Sequence, residues 1–99
     1  MILVRNTFQL KFGKAKDAKT MMKEGLAIAD AGRLSDSNRA YIDMTGQFYT
    51  LVFENTFANL GAYESAHDKF VQNEAWKKWY GSFIELVESG HREIFSIIE

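Results

Sequence analysis

Hydrophobic and polar positions alternate along the first twelve residues, MILVRNTFQLKF, with one interruption. Ile2, Val4, Phe8, Leu10 and Phe12 form an apolar row with Asn6 set into its middle, and Leu3, Arg5, Thr7, Gln9 and Lys11 form a half-polar row opposite. A period of two marks a strand with one buried face, and Gly13 ends it. From Lys14 to Ala31 the period becomes helical: Ala15, Ala18, Met22, Gly25 and Ala29 share a stripe, with Lys16, Lys19 and Lys23 on the other side. Gly32 is a natural stop, and RLSDSN (residues 33–38) has loop chemistry.

Two further strands flank Gly46-Gln47, a two-residue turn with glycine first. That turn predicts a register in which Met44 faces Tyr49, Ile42 faces Leu51 and Ala40 faces Phe53, all apolar. The other side pairs Thr45 with Phe48, Asp43 with Thr50, Tyr41 with Val52 and Arg39 with Glu54. A slip of one residue destroys this separation. Asn59 is placed to cap a helix over about 60–71, and Asn73 another over about 74–89. Trp76, Trp79, Tyr80, Phe83 and Val87 make the second helix's apolar stripe, Gly90 ends it, and REIFSIIE supplies a last strand.

The order is β-α-β-β-α-β, with the second α split in two. It predicts one α+β domain over residues 1–99, a four-stranded antiparallel sheet with both helical layers on one face, the ferredoxin-like arrangement. The helices then cover the apolar rows. The opposite face, with Leu3, Arg5, Thr7, Gln9, Tyr41, Asp43, Phe48, Val52, Glu54, Ile94 and Ile98, is left bare. It is greasier than a solvated face and too charged for a dry core, unless Arg5 and Arg39 pair with Asp43 and Glu54. A second copy of the sheet laid across it answers both problems. The expected partner is the chain itself, through Arg5, Thr7, Tyr41, Asp43, Val52 and Glu54.

Composition narrows the chemistry. The chain has 99 residues, 46% hydrophobic and 25% charged, a net charge of -1 and no cysteine. Thiol nucleophiles, disulfides and cysteine-held zinc are thereby excluded. Residues 1–39 carry eight basic and four acidic side chains, and residues 40–99 four and nine. No apolar run is long enough for a bilayer, and Met1-Ile2-Leu3-Val4 meets Arg5 without a basic leader segment. A cytoplasmic location and no membrane partner are expected. The lysines of the first helix are not interleaved with aromatics, so no nucleic-acid partner is expected either.

Several local features resemble the NIPSNAP family of the dimeric α/β-barrel superfamily. Arg5, then Phe8, then Gly13 is similar to its first-strand arginine, aromatic and glycine, and NEAW (residues 73–76) to the tryptophan opening its last helix. YESAHDKF stands where the family carries an arginine-rich segment. The resemblance implies two sheets closing into a dimeric barrel. Its superfamily includes cofactor-independent monooxygenases, isomerase-like proteins, haem-degrading enzymes and members without known activity.

Asn6 points toward the helices, where relatives bind ligands, and an amide there can orient a carbonyl or stabilise developing negative charge. The candidate catalytic set is Asn6 with His67 and Tyr80 as hydrogen-bond partners or proton carriers. The bland alternative for Asn6 is a buried amide satisfied locally. Phe8, Met22, Trp76 and Phe83 are the candidate lining of an apolar pocket under the helices, or else plain core. Asn6, Trp76 and His67 supply the residue types of a haem-degrading site, with histidine and tryptophan in reversed order. Glu64, His67 and Asp68 share a helix face, but the second Glu-x-x-His of a two-metal site is absent, so no metal and no cofactor are expected. His91 reads as a loop or helix-end residue. The expected function is binding of a small apolar or aromatic molecule between sheet and helices, with cofactor-independent oxygenation or isomerisation as the enzymatic form. A non-catalytic dimerisation or ligand-sensing module is the rival.

Overall fold

A computed structural model describes residues 1–99. Seven elements follow in order: β1 (Ile2–Leu10), α1 (Ala15–Ala31), β2 (Ser37–Ile42), β3 (Thr50–Phe57), α2 (Leu60–Gln72), α3 (Glu74–Phe83) and β4 (Val87–Ser96). The strands form one antiparallel sheet in the order β2-β3-β1-β4, which is ferredoxin-like topology. The helices lie on one face, so the molecule is thin, 37 × 32 × 19 Å. No helix is long and apolar enough to cross a membrane.

The apolar rows become the core. Leu10, Leu51 and Phe53 of the sheet pack against Ala18 and Met22 of α1 and Trp79 and Phe83 of α3. A smaller group, Val4, Phe57 and Ala66, seats α2. The small residues of α1 bring it close: a β-carbon at Gly25 would overlap the Trp79 indole, whose Nε1 donates to the Met21 carbonyl at 2.6 Å. Asn59 Oδ1 accepts from Ala62 N, and Asn73 Oδ1 from Trp76 N, both at 2.8 Å, so each asparagine caps its helix as expected. Asn73 also ends α2, which is why the helical region breaks there.

The β2–β3 register matches the expected one at Arg39/Glu54, Ala40/Phe53, Tyr41/Val52 and Ile42/Leu51. The tight turn does not form. Asp43 Oδ1 accepts from Thr50 N at 2.9 Å, and Gln9 Nε2 donates to the Phe48 carbonyl at 2.5 Å. These bonds hold residues 43–49 as a loop that leaves Met44 98% exposed.

Three further boundaries differ from expectation. β1 ends at Leu10, and Phe12 lies in an exposed turn where Gly13 has φ +81°. Helix α3 stops at Phe83, and a 3-10 turn over Ile84–Leu86 leads into β4, so Val87 belongs to a strand. Gly90 is not a helix stop but a strand residue opposite Phe8; a β-carbon there would come within 3.0 Å of the Thr7 carbonyl. His91 therefore lies in β4, opposite Thr7, rather than in a loop. Ile94 pairs with Val4 and faces the helices, leaving Phe95 on the open face, while Ile98 lies beyond the strand.

Candidate functional site

Even-numbered residues of β1 face the helices, and Asn6 sits among them between Phe53 on β3 and Arg92 on β4. It is part-exposed, not the sequestered amide of the bland reading. Arg92 Nε donates to Asn6 Oδ1 at 2.7 Å. Because β4 is the sheet edge, α2 covers it incompletely, and an open hollow of about 450 Å³ remains between them. Tyr63, Glu64, His67 and Asp68 of α2 form one wall, and Arg92 the other.

The helical repeat explains the wall: residues 63, 64, 67 and 68 fall on one side of α2. Tyr63 packs its ring on Phe57 at 5.3 Å and carries His67 alongside at 6.4 Å between ring centres. Arg92 has no carboxylate within 4.0 Å. An arginine whose Nε is held by an amide still presents its terminal N–H groups in a fixed plane. Arg92 can donate to a ligand oxygen, and the wall opposite carries an imidazole and a phenol together with the Glu64 and Asp68 carboxylates. No group of histidine and acidic side chains converges as metal ligands do.

The other expected site residues lie elsewhere. Met22 and Phe83 are 3% and 0% exposed, and with Trp79 they fill the space between sheet and helices. Phe8 meets Phe83 edge-on at 5.3 Å. Trp76 stacks on Phe53 at 5.8 Å and on Tyr80 at 6.4 Å. Tyr80 is thus on the outer side of α3, and neither it nor the four expected lining residues borders the hollow of His67. Arg92 bonds Asn6 and borders the hollow that His67 also lines, while Asn6 itself does not line it. Arg92 and Tyr63 escaped the sequence reading; the alternation Gly90, Arg92, Ile94 assigns Arg92 a strand face, but only the β1–β4 register sets it beside Asn6.

On the open face, Arg5 Nε meets Glu54 Oε2 at 2.7 Å and its guanidinium lies 5.1 Å from the Phe95 ring centre. Pairings across the strands put Arg39, Glu54, Arg5 and Glu93 in one transverse row of alternating sign. Tyr41, Val52, Thr7 and His91 make the neighbouring row.

No protein-family model and no curated protein matches the chain. Solved structures do. A NIPSNAP family protein of Agrobacterium tumefaciens is similar at TM-score 0.89 and 16% identity, over 99% of this chain and 93% of that one. An uncharacterised NIPSNAP domain protein from Burkholderia xenovorans is similar at TM-score 0.84 and 14% identity, over 99% and 95%. SnoaB, a cofactor-independent oxygenase from Streptomyces nogalater solved as a mutant, is similar at TM-score 0.75 and 9% identity, over 99% and 93%. At these identities the shared property is the ferredoxin-like fold.

Proposed function

We propose that the chain acts as a homodimer which binds a small, polar aromatic molecule bearing an acidic hydroxyl or carbonyl oxygen, in the hollow between α2 and β4. The observation that carries this reading is the bond from Arg92 Nε to Asn6 Oδ1 at 2.7 Å, which orients a cation with no carboxylate within 4.0 Å across from a wall of Tyr63 and His67, with Glu64 and Asp68 on the same wall. A charge-assisted bond from such an arginine favours the enolate or phenolate form of the ligand. His67 is the proton acceptor in this reading. Isomerisation follows if the proton returns at another carbon. Oxygenation follows if dioxygen takes the electrons instead: an activated CH2 becomes C=O, one oxygen atom enters the product and the other leaves in water. The likeness in fold to a cofactor-independent oxygenase supports the second course.

One observation favours the rival, a binding module without turnover: the interior under the helices is filled, and the hollow of His67 is open to solvent. Reactions of carbanions are usually shielded from water.

The homodimer is supported by the open sheet face. Laid on a copy of itself about a twofold axis parallel to the strands, the row Arg39, Glu54, Arg5, Glu93 meets its own reversal, so every charge faces its opposite.

The test uses 1-hydroxy-2-naphthoate and anthrone with the full chain. Titration of the naphthoate is expected to shift amide resonances of residues 63–68 and 92, and anthrone to drive dioxygen uptake. Shifts without uptake establish the binding module. No shift in those residues overturns the site.

A further inference from the structure

The opposite end of the sheet carries a second hollow, of about 520 Å³, unconnected with Asn6 or His67. It lies between the β1–α1 turn and the loop of residues 43–49, and is lined by Phe12, Ile42, Phe48 and Tyr49 together with Lys16 and Lys19. Its aromatics are set in an unusual way. Phe12 and Phe48 are 78% and 70% exposed, yet Phe12 packs edge-on against Tyr49 at 4.8 Å between ring centres. Tyr49 is held at φ +58°, a left-handed conformation that few bulky residues adopt. Leu10 N donates to its carbonyl at 2.8 Å and stabilises that geometry. Strain of this kind persists where surrounding structure enforces it, and it gathers at ligand sites.

The charge around these rings is net positive, two lysines against one carboxylate. Neither Lys16 nor Lys19 has a carboxylate within 4.0 Å. Asp43, the one acid in the lining, is bonded to Thr50 N. Ala15 opens α1 here, and its N-cap, Lys14, provides no side-chain hydrogen bond, so the helix's positive end is answered only by Asp17 in the first turn.

We propose that this hollow binds an amphipathic anion, a carboxylate with a long aliphatic body, its chain on Phe12, Phe48 and Tyr49 and its head group between Lys16 and Lys19. Its volume lies within the span of about 300–1,000 Å³ typical of small-molecule sites. The two lysines complement a single negative head.

Monomeric dodecanoate, below its micellar concentration, and dodecan-1-ol are the probes, read by amide shifts of the full chain. Dodecanoate is expected to move residues 11–19 and 42–49 and leave 63–68 and 92 in place, which separates this site from the hollow of His67. The neutral alcohol is expected to bind several-fold more weakly. Removing two exposed charges by Lys16→Gln with Lys19→Gln is expected to weaken dodecanoate about five- to ten-fold, and the corresponding arginine variants to retain it. Phe48→Ser, at an exposed loop position, is expected to abolish binding with an unchanged circular dichroism spectrum. Equal affinity for acid and alcohol, or shifts centred on residues 63–68, overturns the proposal. Binding to phosphatidylglycerol vesicles with no response to monomeric dodecanoate overturns it in favour of a membrane surface.

Discussion

The Trp79 indole occupies the space that a β-carbon on Gly25 would need, so α1 and α3 touch where α1 has no side chain. The indole cannot yield freely, because Nε1 is bonded to the Met21 carbonyl and the ring stacks on Phe83 at 4.9 Å. Gly25→Ala gains about 1 kcal/mol of helix propensity but meets an overpacking cost at the top of the usual range of about 1–3 kcal/mol. A net destabilisation of about 2 kcal/mol is expected in urea unfolding. Gly81→Ala, with no heavy atom within 4 Å of the added carbon, is expected to stabilise by about 0.5 kcal/mol in the same assay. Opposite signs at two helical glycines distinguish close packing from propensity.

Two asparagines interrupt apolar strand rows, and they are not equivalent. Asn55, between Phe53 and Phe57, is 4% exposed; its Nδ2 donates to Asn38 Oδ1 at 2.5 Å, and Asn38 Nδ2 donates to Asp30 Oδ1 at 2.7 Å. Ser35 Oγ donates to the same Asn38 oxygen. This chain of bonds ties the end of α1 to β2 and β3. Asn55→Ala is expected to lower stability by about 1–3 kcal/mol, the cost of breaking a buried hydrogen-bond network. Asn6→Ala, at a part-exposed position, is expected to stay within about 0.5 kcal/mol of the parent. Thermal unfolding of both variants checks the contrast.

What the sequence disclosed follows from which signals are local. The caps Asn59 and Asn73 were legible because a capping side chain bonds the backbone three residues away. The β2–β3 register was legible because apolar alternation tolerates no slip, even though the turn itself was misread. Errors arose where a distant contact decides. Val87 continues the helical spacing of Trp76, Tyr80 and Phe83, and only Phe8 across the sheet explains why Gly90 must be a strand residue. An amide interrupts an apolar row at Asn55 as it does at Asn6, yet only Asn6 was singled out from the sequence; burial, a tertiary property, separates the two. Arg92 gave no sign of its role because its partner lies 86 residues away in the chain.

Val52 lies at the centre of the open sheet face, in the row of Tyr41, Thr7 and His91 and next to the alternating charges. If a second copy covers it, a carboxylate there is buried without a partner. Val52→Asp is expected to shift light scattering from dimer to monomer mass while leaving the circular dichroism spectrum in place. Glu54→Arg places three cations in one row and is expected to act in the same direction. A parent chain that scatters as a monomer removes the dimer.

Arg92 and Asn6 form one device in the proposed site, and its two members should not contribute independently. Arg92 borders the hollow and contacts the ligand, whereas Asn6 acts by holding Nε and so setting the plane of the guanidinium. A hydrogen bond to a charged group is worth about 1.5–3 kcal/mol, so Arg92→Met is expected to weaken 1-hydroxy-2-naphthoate about ten- to a hundred-fold. Asn6→Ala frees the arginine without removing it, and a smaller loss of about three- to ten-fold is expected. Once Arg92 is gone, Asn6 has nothing left to orient. The double variant should therefore bind as weakly as Arg92→Met alone, a coupling that titration of all four proteins measures. Losses that simply multiply would mean that Asn6 contacts the ligand itself, and the orienting role would be wrong.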